Sequence, residues 1–282
     1  MTEDILSGGV AVITGAASGI GNGIARAAAA RGMKLVLADI AAEALQDFAA
    51  ELTAAGTETL AVPTDVTDPE AIDALAAKTH AHFGDIRLLI NNAGIEMLGL
   101  AWELSAAQWE RIVRINILGP IHGTRAFAGA MVKSGKPGFI ANVSSLGGLA
   151  MMPEQTPYIL SKHATLSFTE CLFLEMSRAA PQIRVSAILP GPVATRIFMD
   201  APTGPTQNAS RHRAIMENML TAHGMTPLAA GETILEQIAE GKFWVTTHPD
   251  MLAHSAQARA THLATLADPY LQPEALALLD PG

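Results

Sequence analysis

Thr14-Gly15-Ala16-Ala17-Ser18-Gly19-Ile20-Gly21 decides the fold, because the apolar run Val10-Ala11-Val12-Ile13 leads into it and an alanine-rich helical stretch leads out. Gly15 permits a sharp turn, Gly19 lacks the Cβ that would hold a pyrophosphate away, and Gly21 lets the helix pack close to the strand. A helix N-terminus then presents free N–H groups and partial positive charge to an anion. Glycine also ends strands for purely steric reasons, but a strand before and a helix after make this turn a dinucleotide cradle. Gly15, Ser18, Gly19, Ile20 and Gly21 are its residues.

Outward from this turn, short β-branched or aliphatic runs alternate with longer helical segments. That is the pattern of a parallel sheet covered by helices on both faces. Strands are expected at Val10 to Thr14, Lys34 to Asp39, Thr59 to Val62, Leu88 to Asn91, Phe139 to Val143, Arg184 to Leu189 and Phe243 to Val245. The fold class is therefore α/β, a single Rossmann-type, doubly wound parallel sheet of about seven strands. The first helix is expected to start near Ile20, and another near Asp68, an N-cap followed by Pro69 at the first helical position. No linker or repeat divides residues 1–282, so one domain is expected to carry both cofactor and chemistry. Residues 194–226, with Pro202, Gly204, Pro205 and Gly224, form an irregular excursion that suits a mobile lid, helical only near Arg211 to Leu220. Residues 249–282 are a C-terminal extension, helical to about Ala267 and proline-punctuated beyond it.

The chain has 282 residues, 49% hydrophobic and 16% charged, enough to bury a substantial core. Its net charge of −9, without blocks of like charge, argues against nucleic acid and anionic membranes as partners. Cys171 is the only cysteine, so no intrachain disulfide forms and a reducing cytoplasm fits. It sits in an apolar helix without basic neighbours, as a packing residue would. The histidines lack ligand spacing, so no metal is expected. Residues 1–9 lack the basic start of a secretory signal, and no apolar run reaches membrane-spanning length.

Asp39 lies eighteen residues after Gly21 at the end of the second strand, close to where an acid meets the adenosine ribose hydroxyls. Its carboxylate would repel a 2′-phosphate, and no Arg or Lys stands at 16–18 or 40–42 to neutralise one. NAD is expected over NADP. The competing reading is that Asp39 caps the following helix.

Taken together, these motifs resemble the short-chain dehydrogenase/reductase family from Val10 to about Val245. The resemblance includes Asp65-Val66, Asn91-Asn92-Ala93-Gly94, Asn116, Ser145, Tyr158 with Lys162, and Pro190-Gly191. It implies that Asp65, Val66, Asn92, Ala93, Gly94, Pro190, Gly191, Val193 and Thr195 join the cofactor site. Tyr158 and Lys162 are i and i+4, one turn apart on a helix face, so each feels the other's charge. A tyrosine acting as a base near neutrality needs its pKa lowered by about 4 kcal/mol, and the Lys162 ammonium and a positive nicotinamide both push that way. The resemblance makes Tyr158 the acid/base and Lys162 a ligand of the nicotinamide ribose. It makes Ser145, thirteen residues before Tyr158, the holder of the substrate oxygen, with Ser144 as the competitor for that role. Asn116 is a buried amide satisfying backbone groups and, by resemblance, the anchor of a water next to Lys162.

The reaction expected is the interconversion of a secondary alcohol and a ketone with NAD. The alternatives are a 3-ketoacyl-type reductase and a non-catalytic NAD-binding sensor or scaffold. The family builds its pocket after Ser145 and after Gly191, so Gly147 and Met152 are substrate-binding candidates beside Ser145 and Tyr158. Ile95, Met97, Leu146, Leu149, Met151, Val193, Ile197, Phe198 and Met199 make an apolar wall that favours a bulky cyclic, aryl or terpenoid alcohol. Glu96 and Gln155 are the polar exceptions, each suited to orient a distal hydroxyl. Finally, the helix after Tyr158 carries apolar residues around its whole circumference, from Leu160 through Leu174 to Met176, which predicts a homodimer or homotetramer. Cover by this chain's own C-terminal tail is the competing explanation.

Overall fold

The computed structural model describes residues 5–271; residues 272–282 of the expected tail, and residues 1–4, lie outside the described residues. Seven parallel strands run β1 (Val10–Thr14), β2 (Lys34–Asp39), β3 (Thr59–Pro63), β4 (Leu88–Asn91), β5 (Gly138–Val143), β6 (Ile183–Ile188) and β7 (Trp244–Val245), in the spatial order β3-β2-β1-β4-β5-β6-β7. Between them lie α1 (Gly19–Ala30), α2 (Ala42–Ala54), α3 (Pro69–Phe83), α4 (Ala106–Val113), α5 (Gly119–Ser134) and α6 (Thr156–Ala179). The chain continues through α7 (Gln207–His223) and α8 (Pro227–Ala239) before β7, and α9 (Pro249–Thr265) after it.

Strand periodicity accounts for the two covered faces. Ala11 and Ile13, Leu35 and Leu37, Leu88 and Ile90, Phe139 and Ala141 face one core, shared with α1, α2 and α8. Val10 and Val12, Val36 and Ala38, Leu89 and Ile140 face the other, shared with α3, α5 and α6. Both faces of every central strand are thus withdrawn from water, which is why the strands read as unbroken apolar runs. Helix α1 crosses α8 so closely that a Cβ on Gly23 would strike Pro227 O, and one on Gly231 would strike Gly23 O. Asp68 caps α3, its carboxylate accepting from Glu70 N at 2.9 Å.

The excursion at 194–226 departs from expectation. Its helix is the full seventeen residues of α7, and Phe198, Ala201, Ala209 and Leu220 form a small core with Leu98. Main-chain bonds pin the segment to the body: Leu98 N donates to Pro202 O at 3.1 Å and Gly204 N to Leu98 O at 2.7 Å. Side-chain volume, invisible as a periodic stripe over so short a helix, anchors what composition presents as loop. No helix among the described residues is long and apolar enough to cross a membrane.

Candidate active site

The order in which strands are added reverses between β1 and β4, and the crevice of a doubly wound sheet opens at such a point, beyond the C-terminal strand ends. A cavity of about 860 Å³ lies there. Thr14 joins the two strand ends: its Oγ1 accepts from Asn92 N at 3.0 Å and Ala93 N at 3.1 Å. Asn92 Nδ2 donates to Thr14 O and Gly15 O, holding the glycine-rich turn from behind. Gly15 and Gly19 have φ of +65° and +54°, which side chains rarely adopt, and a Cβ on Gly15 would meet the Ala93 Cα at 2.8 Å.

Gly15, Ser18, Gly19, Ile20, Asp39, Asp65, Val66, Asn92, Ala93, Gly94, Pro190, Thr195, Tyr158 and Lys162 all line this cavity. Three expected cofactor residues stand behind the wall instead. Gly21 packs against Gly15 O, Gly191 against the His248 ring, and Val193 is buried in a bridge with Met225. Asp39 does not cap α2, whose N-cap is Ala41. One of its oxygens accepts from Ala17 N and the other from Ala41 N, both at 3.0 Å, so the carboxylate ties the glycine-rich turn to the end of β2 and still borders the cavity. A carboxylate has about four acceptor sites, which leaves capacity for two ribose hydroxyls. A glycine cradle without Cβ atoms, a helix N-terminus and an unneutralised acid at the β2 end together fit a nicotinamide dinucleotide.

At the far end of the cavity, α6 carries Tyr158 and Lys162. Buried polar side chains set this helix against the sheet: Asn91 Nδ2 donates to Asn142 Oδ1 at 2.8 Å, and Asn142 Nδ2 to Thr169 Oγ1 at 3.1 Å. Lys162 is fully enclosed; its Nζ donates to Val143 O at 3.0 Å and sits 5.4 Å from the Tyr158 ring centroid. Asn116 interrupts helical geometry in a single π-helical turn, Arg114–Leu118, a feature that recurs at functional sites. Its Oδ1 accepts from Ile95 N and its Nδ2 donates to Ile95 O, both at 2.9 Å, and to Ser161 Oγ at 3.0 Å. The buried-amide role is therefore present in full.

Ser145 Oγ accepts from Gly147 N at 3.0 Å and stands with the Tyr158 ring against Gly147, although it does not line the cavity itself. Ser144 donates its hydroxyl to Lys162 O at 2.8 Å and, unlike Ser145, lines the cavity.

Several expectations are corrected. Gly147 lies against the Tyr158 ring, Met152 is half-buried, and neither lines the cavity. Gln155 is buried and bonded to His212, away from the cavity. Of the apolar wall, only Ile95 and Ile197 border the cavity; Met97 and Phe198 are packed into satellite cores and Met199 is exposed. In their place stand Ala107, Glu110, Arg111 and Arg114, one face of α4 and the residue after it, together with Arg196 and Asp200. The i, i+3, i+4, i+7 spacing ahead of Asn116 was the signal for that face. Arg114 pairs with Glu110 and Arg196 with Asp200, each at 2.9 Å. Cys171 is exposed, so packing does not explain it.

The titration of Tyr158 is also corrected. Burial pushes the phenol up, the Glu96 charge pushes it further the same way, and the nearby Ser145 hydroxyl only partly opposes them. Burial lowers Lys162 itself to about 8, against the opposing charge of Glu96.

Residues 9–205 match the family model for short chain dehydrogenase. A CLA biosynthesis dehydrogenase/reductase of Lactiplantibacillus plantarum is 31% identical over 86% of this chain and 88% of its own length. Dehydrogenase/reductase SDR family member 7B of Bos taurus is 34% identical over 92% of this chain and 77% of its own. Among solved structures, a short chain dehydrogenase/reductase from Burkholderia phymatum in complex with NAD superposes with a TM-score of 0.89 at 34% identity, covering 96% of this chain and all of that one.

Proposed function

The chain belongs to the short-chain dehydrogenase/reductase family, and from that premise we propose an NAD(H)-dependent oxidoreductase that interconverts a secondary alcohol and a ketone. The observation that carries this reading is the meeting of Tyr158, Lys162 and the glycine cradle on one cavity, with Ser145 close to the tyrosine ring. Bound there, the dinucleotide supplies the hydride acceptor or donor. In oxidation, Tyr158 takes the hydroxyl proton as the carbinol C–H gives up its hydride, and Ser145 holds the oxygen. In reduction, Tyr158 returns the proton. Desolvation and the Glu96 charge hold the half-buried Tyr158 phenol in its protonated form, so its use as a base depends on positive charge brought in with the oxidised cofactor.

Asp39 supports NAD over NADP by repelling a 2′-phosphate. Ile95, Ile115 and Ile197 border the cavity with Tyr158, which supports an apolar alcohol at the reacting end. The paired arginines at the rim form no basic patch for an acidic carrier, which weighs against a 3-ketoacyl reductase. The test is a screen of NAD reduction by hydrophobic secondary alcohols, hydroxy acids and sugars, repeated with NADP. Turnover of ring alcohols with NAD is expected. A preference for NADP would overturn the Asp39 argument, and a preference for hydroxy acids or sugars the pocket argument.

A further inference from the structure

Two polar residues were candidates to meet a substrate oxygen other than the reacting one, and the structure separates them. Gln155 Nε2 lies 3.3 Å from His212 Nε2, and His212 Nδ1 lies 3.2 Å from Glu154 Oε2. A neutral imidazole satisfies this arrangement by donating through Nδ1 to the carboxylate and accepting the amide N–H at Nε2. Gln155 is thereby spent on clasping α7 to the start of α6.

Glu96 is differently placed. It is 1% exposed, yet it borders the cavity together with Tyr158 and Lys162. Its Oε1 accepts from Met97 N at 2.9 Å, while Oε2 has no hydrogen-bond partner among the described residues. Among the described residues no ion pair joins it to Lys162, whose ammonium donates to Val143 O. Asn116 grips the Ile95 peptide at both its N–H and C=O, immediately before Glu96. Held on both sides, the carboxyl is a fixed group. Oε2 is not among the fully buried unpaired oxygens, so it opens on the cavity, and a ligand that pairs it gains a hydrogen bond at a fixed site. Burial also holds Glu96 well above the usual carboxylate range.

We infer that Glu96 recognises a second oxygen next to the reacting carbon, so that the preferred substrates are vicinal diols and the matching hydroxyketones. This rests on the alcohol/ketone reading and narrows it. A hydroxyl suits Glu96 in either state, since it donates to a carboxylate and accepts from a carboxylic acid. A simple alcohol leaves Oε2 unpaired. In the reaction the diol loses a hydride from the reacting carbon to the oxidised dinucleotide and a proton from the oxygen on that carbon, while the second hydroxyl keeps its hydrogen.

Binding to the enzyme saturated with NADH isolates recognition from chemistry, because no alcohol can be oxidised in that complex. Affinities of vicinal cyclohexanediol and of cyclohexanol, read from the fluorescence of bound NADH, should favour the diol about tenfold. Glu96→Leu should remove the preference by weakening the diol, and Glu96→Gln, which still offers donor and acceptor, should keep most of it. If Glu96→Leu does not fold, Glu96→Ala answers the same question. Equal affinity of the two probes, including no detectable binding of either, would overturn the inference, as would a preference that survives Glu96→Leu or Glu96→Ala. Diol-selective binding without NAD reduction by any alcohol would instead overturn the alcohol/ketone reading and leave the Glu96 assignment standing.

Discussion

Lys162 buries its ammonium and gives it only a main-chain carbonyl as partner. Burial lowers it from 10.5 to about 8, a difference of about 3 kcal/mol in favour of the neutral amine. Between about pH 8 and 10.5 the unfolded chain holds a proton that the folded chain has released, so this residue makes stability rise with pH across that window. Glu96 has the opposite sign: its raised pKa makes stability fall as pH rises through it. Denaturant unfolding of the cofactor-free protein at pH 8 and pH 10, set against Lys162→Met, should show wild type gaining about 2 kcal/mol relative to the variant. Parallel pH dependences of the two proteins would contradict the enclosed-ammonium account.

Helix α6 does two jobs at once. Its inner face presents Tyr158 and Lys162, and Leu166, Thr165, Thr169 and Leu172 are buried with it. Its outer face leaves Leu160 45% and Leu174 63% exposed, two heptads apart and so on nearly the same side. The C-terminal helix does not cover them; α9 reaches the Leu146–Leu149 region through Leu252 instead. An exposed apolar stripe on a helix already packed below is best buried against a second copy. Light-scattering mass at micromolar concentration should therefore give twice or four times the chain mass, with Leu160→Glu plus Leu174→Glu shifting it toward one. A monomeric wild-type mass would refute the oligomer.

At the scale of the molecule, sheet order places the cofactor cradle and the acid/base pair at two ends of one cavity. This much was legible beforehand, because buried parallel strands leave unbroken apolar runs and the glycine turn, Asp39, Ser145, Tyr158 and Lys162 carry local spacing. All seven strands match their expected bounds to within one residue on each side, β7 being the two residues Trp244–Val245. What remained hidden was non-local. His212 finds Glu154 across 58 residues, a contact no spacing announces. Packing against Leu98 turns the supposed loop at 194–226 into an anchored helix, and the sheet order brings the α4 face with Arg111 and Arg114 to the cavity. Burial of Tyr158 and Glu96 is likewise a property of the assembled site, which is why the direction of the tyrosine's titration could not be read from its neighbours in sequence. The central claim, that Tyr158 moves the proton in an NAD-linked alcohol/ketone reaction, is tested most directly by Tyr158→Phe with the best alcohol found in the screen. Turnover should fall roughly 10²- to 10⁴-fold while NADH affinity holds; turnover within a few-fold of wild type would contradict it.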